Sequence, residues 1–396
     1  MSIYQTMFGL KKAVNASGTM TYLGGSLMPP EVVEAMSEAA KDWVRLDKLL
    51  EKAGQIIAGI AGVPACFITS GCAAALTLAT AACITGKDPE KMKKLPFTED
   101  MRNEVIWQKG HYPAYLSQFQ AAGAKVIPVG GDQVLLPVPE EVNGRKFPAL
   151  RTLGCTPEAI EAAITERTCA LVYTQAHFCV HEGLVALKQY CEIAHKHGLP
   201  VIVDASSELP PASNLGWFWK QGADITCVSG GKALHGPNDT GFLLGREDLI
   251  EAAAMQANPR FGIGRGFKVS KEQIVGLVVA VQKYASTDVQ ARLDSEMARA
   301  NYIVEALKGV EHVKAQIVFP DDTGLPVPRV WLTLHESALG MTADDVYKTL
   351  MEGDPAIYTR GHYRDIGKLL IDVQVLRPGE EKIVADRLKE VLSKKD

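Results

Sequence analysis

Long apolar runs are missing from the 396-residue sequence. No stretch approaches the roughly 18 consecutive apolar residues that a membrane span needs, and Met1 to Ala13 lacks a charged-then-apolar leader pattern. We therefore expect a cytoplasmic protein with no membrane partner. There is no C-x-x-C pair among the eight cysteines (66, 72, 83, 155, 169, 179, 191, 227), most of which stand in apolar strand- or helix-like runs. They read as small buried hydrophobes in a reducing compartment, so no disulfide and no cysteine-rich zinc site is expected. A surplus of positive charge is lacking too. A net charge of -4 and a pI near 6.2 argue against a large nucleic-acid footprint. No internal repeat appears. With 47% hydrophobic and 22% charged residues, the chain is a globular protein long enough for a large core and two domains.

Strand-like and helix-like stretches alternate from residue 65 onward. Ala65-Cys-Phe-Ile-Thr69, Glu104-Val-Ile-Trp-Gln108, Lys125-Val-Ile-Pro-Val129, Cys169-Ala-Leu-Val-Tyr-Thr174, Pro200-Val-Ile-Val-Asp204 and Asp224 to Ser229 read as strands. Helices are expected between them: a small-residue helix from Ser70 to Ala82, one at Ala114 to Ala122, one capped by Thr156 with Pro157 at its first position, and one from Leu184 to His197 that ends at Gly198. Pro29 and Pro30 open an earlier helical region that reaches Gly62, and Thr240 to Gly245 reads as a further, antiparallel strand. This alternation predicts an α/β fold with a mostly parallel sheet covered on both faces. A long helical pattern from about Lys271 to Leu307 then leads to strands near Gln316, Arg329 to Leu334 and Leu369 to Val373, with a final helix from Glu380. The expected organisation is an arm at residues 1–30, a large domain at 31–265 and a helix with a smaller α+β domain at 266–396. The charged insert from Gly86 to Met101 reads as a solvated excursion.

The chemistry is concentrated at strand ends. Ile225 to Ser229 runs into Gly230-Gly231-Lys232, which places an amine at the carboxyl end of a buried strand, where ligands bind in open α/β sheets. A phosphate-binding Walker loop is excluded, because Thr226 stands where it needs glycine and Ala233 follows the lysine. The Ser229-x-x-Lys232 spacing has no Ser-Asp-Asn or Lys-Thr-Gly to complete the penicillin-binding pattern. A lysine able to condense with a carbonyl remains, beside the plainer reading of a turn lysine. Thr69-Ser70-Gly71-Cys72 joins a strand to a helix, and its amides and hydroxyls suit an anion, or Ser70 simply caps the helix. Ile68 rules out a serine-hydrolase elbow there.

Asp204 ends a buried strand, and such a carboxylate needs a cationic or N–H partner. It either caps the next turn or holds a protonated heteroaromatic nitrogen. His111 follows another strand and either stacks on a flat cofactor or bonds a turn. His177 and His181 are four apart, but Cys179, Val180 and Gly183 mark a loop and no third ligand is evident, so no metal is expected. Arg265 lies in Gly-Ile-Gly-Arg-Gly, which opens no βαβ unit and so is not a dinucleotide fingerprint. Arg265, Arg360 and Arg377 are candidate carboxylate forks, or ordinary surface ion pairs. Taken together, a phosphate-accepting helix start, a stacking ring, a strand-end Asp and a strand-end Lys form the set that pyridoxal 5'-phosphate requires.

Those segments carry a resemblance. Asn15-Ala-Ser-Gly-Thr19, Thr69-Ser-Gly-Cys-Ala-Ala-Ala-Leu76, Val203-Asp-Ala-Ser-Ser207, Ser229-Gly-Gly-Lys-Ala-Leu-His-Gly-Pro237, Gly264-Arg-Gly-Phe-Lys-Val-Ser-Lys271 and Ile371-Asp-Val-Gln-Val-Leu-Arg-Pro-Gly379 are similar to the selenocysteine-synthase-like family of fold-type-I pyridoxal phosphate enzymes, which includes D-glucosaminate-6-phosphate ammonia-lyase-like proteins. The match spans nearly all of residues 10–390. The resemblance implies the fold-type-I transferase fold with a seven-stranded sheet. It makes Lys232 the Schiff-base lysine, Asp204 the partner of the ring nitrogen, His111 the stacking residue, Ser70, Gly71 and Cys72 the phosphate loop, with Ser229 also at the cofactor. It implies a homodimer or larger homo-oligomer.

The selenium transferases in that family carry an added N-terminal RNA-binding domain, whereas the common core here begins near Asn15, and they tend to have Arg where Gln374 stands. With the acidic pI, these differences favour a small amino-acid substrate over tRNA. The expected activity is a lyase that deprotonates Cα, eliminates from the β-carbon and releases ammonia and a 2-oxo acid. Arg265 or Arg360 would hold the substrate's anionic group. Racemisation, retro-aldol cleavage, tRNA-dependent selenium transfer and a non-catalytic pyridoxal-binding protein are the alternatives.

Overall fold

A computed structural model describes residues 2–111, 115–136, 141–142, 145–146, 150–175, 181–321 and 324–393. The chain divides into two compact units, one of Leu27–Leu136 and Arg151–Ser286 and the other of Met1–Ser26, Pro137–Leu150 and Thr287–Asp396.

The first unit is built on a seven-stranded sheet in the order Ala65–Thr69, Gly241–Gly245, Ile225–Ser229, Val201–Asp204, Thr168–Thr174, Glu104–Gln108, Lys125–Val129. Gly241–Gly245 pairs antiparallel with both its neighbours, and the other adjacent pairs are parallel. The period of two along each strand divides its side chains between two cores. Val105, Ala170, Val172 and Ile202 face one, with Leu50, Ile57, Leu76, Leu78 and Ile274 from helices. Ile106, Leu171, Tyr173, Val201 and Val203 face the other, against Tyr190, Cys191 and Ala194 of Leu187–Lys196. Strands buried on both sides explain why they read as near-continuous apolar runs. Each fully buried Ile, Leu or Val contributes about 1.5–3 kcal/mol.

Helix Gly71–Thr85 is apolar around its circumference, with Ala75, Leu76, Leu78, Ala79 and Ala82 all buried. It packs on the 201–204, 225–229 and 241–245 strands on one side and on Glu247–Gln256 on another. Alanines permit that close approach. The long helical pattern expected from 271 to 307 is two helices, Lys271–Ala285 and Val289–Ala306, because the Asp288 carboxylate accepts from Gln290 N and Ala291 N and starts a new helix. The first of them packs with Pro30–Ala39 and Leu46–Ala61 in the sheet-bearing unit, which runs on to Ser286. The insert at 86–101 contains a short helix, Pro89–Lys94, capped by Asp88.

In the second unit an antiparallel sheet of Val313–Val318, Arg329–Leu334 and Lys368–Asp372 packs Val330, Leu332, Leu369 and Ile371 against Ile303, Val346, Leu350, Val384 and Leu388. The Ala13–Ala16 strand pairs in parallel with Ala356–Thr359. No helix among the described residues is long and apolar enough to cross a membrane.

Candidate active site

The parallel strands of the large sheet point one way, so Thr69, Gln108, Thr174, Asp204 and Ser229 all stand at carboxyl ends on one edge. Four segments leave that edge with chemistry.

Asp204 is 2% exposed and, by register, lies between Thr174 and Cys227. Its Oδ1 accepts from Ser206 N at 3.1 Å and from the Cys72 thiol at 3.8 Å. Burial pushes its pKa up. The Lys232 charge pulls it back, helped by Ser206 and Cys72. Among the described residues, those donors on the carboxylate are neutral.

Lys232 follows Ser229 and its Nζ donates to Ser206 Oγ at 3.3 Å. The turn that carries it is fixed by backbone bonds from His235 N to Lys232 O, Gly236 N to Gly230 O and Gly230 N to Thr240 O. A Cβ on Gly230 would stand 2.2 Å from Thr240 Oγ1, and one on Gly231 2.4 Å from Asn238 Cα. The two glycines thus make room for the chain's own 237–240 turn.

Ser70 precedes helix Gly71–Thr85 and makes no side-chain cap bond. The capping reading of Ser70 therefore does not hold. Thr69 Oγ1 bonds instead to Gly71 O at 2.8 Å. Gly71 has φ +84°, a conformation that favours glycine, and open space where a Cβ would be. An uncapped helix start with open space at its glycine is suited to an anion.

His111 is 1% exposed, and Thr174 N donates to its Nδ1 at 3.4 Å. That bond makes Nδ1 the acceptor and Nε2 the N–H, and Nε2 is buried without a partner among the described residues. Burial, then His181, pushes its pKa down to about 3, so the ring is neutral. The imidazole meets Tyr173 edge-on at 4.5 Å, and the Tyr173 hydroxyl bonds His181 Nδ1 at 3.4 Å.

Ser229 stands opposite Gly241 in the strand pair. Exposed Arg265 donates to Asn258 Oδ1 at 3.0 Å, with its guanidinium 5.9 Å from the Phe261 ring centroid. Arg360 belongs to the second unit, where it is buried, donates from Nε to Ser17 O at 3.1 Å and lies beside Asp372. Arg377 forms an ion pair with Glu380 at 2.5 Å. His177 and Cys179 lie outside the described residues, and no metal-holding cluster of His, Cys, Asp or Glu occurs among those described. The seven described cysteines are free thiols.

Comparison with known proteins decides the family. The chain is 32% identical over 98% of its length, and 98% of the relative's, to D-glucosaminate-6-phosphate ammonia lyase of Salmonella typhimurium. The chain belongs to the selenocysteine-synthase-like family of fold-type-I pyridoxal phosphate enzymes. This pyridoxal phosphate enzyme is also 33% identical to the 5'-C-glycyluridine monooxygenase-decarboxylase of a Streptomyces species, over 97% of the chain and 90% of the relative. The L-seryl-tRNA(Sec) selenium transferase of Aquifex aeolicus matches at 24% over 97% of the chain and 85% of the relative. The aminotransferase class-V model matches residues 142–319. A solved structure of D-glucosaminate-6-phosphate ammonia-lyase superposes with a TM-score of 0.83 at 31% identity, covering 99% of this chain and 98% of that one.

The residues present fit the family's cofactor. A buried carboxylate held by neutral donors suits a cationic ring nitrogen. The His111 Nε2–H, unpartnered among the described residues, the open, uncapped helix start at Gly71 and the Lys232 amine suit its other groups. Two neighbours in this pyridoxal phosphate enzyme were not singled out in the sequence: Ser206, which links Lys232 to Asp204, and Tyr173, which contacts both His111 and the His181 that had entered only as half of a metal pair. The hydroxyl two residues beyond Asp204 was the legible signal for the first.

Proposed function

We propose that this enzyme is a lyase acting on a small hydroxylated amino acid, D-configured or phosphorylated, that it converts to a 2-oxo acid with release of ammonia. What supports this reading is the chain of contacts Lys232–Ser206–Asp204–Cys72 at the strand ends, in a chain whose whole length matches a D-glucosaminate-6-phosphate ammonia lyase. When bound, pyridoxal phosphate supplies an electron sink that acidifies the substrate's Cα–H.

In this reading Lys232 would hold the cofactor through its Nζ, and the same Nζ would move the Cα proton. Ser206 Oγ orients that nitrogen. Asp204 would keep the ring nitrogen protonated, Ser70, Gly71 and Cys72 would offer backbone N–H groups to the phosphate, and neutral His111 would support the ring. Ser229 borders the same edge. Arg265, exposed and with a guanidinium suited to two parallel N–H···O bonds, receives the substrate's anionic group in preference to Arg360, whose Nε is committed to Ser17 O. The net reaction removes the α-proton and the β-hydroxyl, and hydrolysis of the resulting enamine gives ammonia and the 2-oxo acid. We assign the enzyme to the cytoplasm, as a homo-oligomer of at least two chains.

The Streptomyces relative favours a second reading, an oxygen-dependent decarboxylation. Incubation with D- and L-hydroxy amino acids, free and phosphorylated, with and without oxygen, separates the two. The lyase gives ammonia and 2-oxo acid in equal amounts under nitrogen. Turnover that stops without oxygen, or carbon dioxide release in place of ammonia, overturns it.

A further inference from the structure

Cys72 entered as part of the phosphate loop, a role its backbone would serve, but its side chain turns elsewhere. The thiol is buried and reaches Asp204 Oδ1 at 3.8 Å, within range for a sulfur donor. It comes from the first turn of helix Gly71–Thr85, an element that packs directly on the Val201–Asp204 strand. We infer that Cys72 is a positioning residue for Asp204, its S–H donating to Oδ1 so that helix and strand together fix the carboxylate that faces the cofactor's ring nitrogen. This rests on the assignment of Asp204 made above.

Three observations carry it. First, Oδ1 is held from two sides, by Ser206 N from its own segment and by Cys72 from a helix 132 positions away in sequence. The Ser206 bond alone leaves the carboxylate free to turn with its loop, whereas the second donor ties it to the helix start. Second, the thiol is a donor in this setting: burial and the Asp204 charge push its pKa well above the usual thiol value, so the proton stays on sulfur. Third, among the described residues the titratable groups that face Asp204 are Lys232 from the turn after Ile225–Ser229, the Cys227 thiol on that strand and Cys72, and the register neighbour on the other side is uncharged Thr174. Of these, Cys72 and Lys232 lower the carboxylate's pKa, so loss of the thiol moves it up.

The test compares wild-type, Cys72→Ala, Cys72→Ser and Asp204→Asn holoenzymes. In Cys72→Ala the acid limb of the bound cofactor's visible spectrum moves up by about 0.5–1 pH unit, a threefold to tenfold change in proton affinity. Its kcat falls by a similar factor with KM little changed. Cys72→Ser, which keeps a donor at the same carbon, restores the wild-type limb. In the infrared difference between wild type and Cys72→Ala, the Cys72 S–H stretch lies below that of a thiol without an acceptor, and Asp204→Asn raises it. An unshifted S–H band, a wild-type limb in Cys72→Ala, or a serine variant that behaves as the alanine one overturns the inference. Should Cys72→Ala fail to fold, the serine limb and the effect of Asp204→Asn on the S–H band still decide. If Asp204→Asn keeps the wild-type spectrum and pH profile, the assignment of Asp204 fails. If it changes both while Cys72→Ala changes neither, only the role of Cys72 is lost.

Discussion

Replacing His111 by phenylalanine should flatten the acid side of the stability profile. The His111 ring is buried, its pKa pushed from 6.5 down to about 3 mainly by burial. A depressed histidine contributes stability that is fully present above its unfolded pKa and lost as pH falls through 6.5 toward 3, because the unfolded chain takes up the proton first. Integrating that linkage between about pH 7.5 and about pH 5 gives a loss of about 2 kcal/mol from this one side chain. Phenylalanine keeps a flat edge for Tyr173 and has no proton to bind. It forfeits the bond from Thr174 N, worth about 0.5–1.5 kcal/mol at any pH. The assay is urea unfolding of both apoenzymes at the two pH values. His181 and His235 are shifted in the same direction and act equally in both proteins, so they drop out of the difference. The variant should lose about 2 kcal/mol less than wild type on acidification. Parallel profiles, or a His111 imidazole that titrates near its ordinary value by NMR, would refute the reasoning.

Asp204→Asn should retain bound cofactor, because the phosphate and lysine anchors are untouched. It should lower kcat by about 150-fold to 5,000-fold, the equivalent of the 3–5 kcal/mol at stake when one partner of a buried pair is removed. Steady-state kinetics on cofactor-saturated protein checks it, and a change below tenfold would count against the role. Gly231→Ala forces a Cβ to within 2.4 Å of Asn238 Cα. It should cost about 1–3 kcal/mol by overpacking and lower cofactor occupancy by displacing Lys232, measured by thermal unfolding and by the visible absorbance. Arg265→Ala should raise KM about 10-fold or more with kcat less affected, since a charged hydrogen bond to the substrate is worth about 1.5–3 kcal/mol. An unchanged KM would return the anion site to Arg360.

The sheet was legible because its strands are buried on both faces and so carry unbroken apolar runs between turn residues, as in Ile106 with Val105 or Ile202 with Val203. Even the reversed strand at 241–245 showed, since Gly241 and Gly245 bracket it. The break at 286–288 did not, although Ser286-Thr287-Asp288 is a cap signal, because apolar periodicity resumes at once. At the candidate site, the sequence singles out Lys232, Asp204, His111 and Ser70 by their places at or just after strand ends. What stayed hidden was direction. Nothing in the spelling Ser-Gly-Cys says that the thiol turns to a carboxylate 132 residues later, and nothing in Gly-Gly says that Thr240 and Asn238 fill the space beside it. The carboxylate forks were equally opaque, because whether an Arg is committed to its own unit, as Arg360 is to Ser17 O, depends on tertiary neighbours.

Borohydride reduction of the holoenzyme followed by peptide mass mapping tests the central claim most directly. The account predicts one pyridoxyl-phosphate adduct, on the peptide that carries Lys232, and its absence along with the visible band in Lys232→Ala. An adduct on another lysine, or ammonia release that persists in Lys232→Ala, would contradict it.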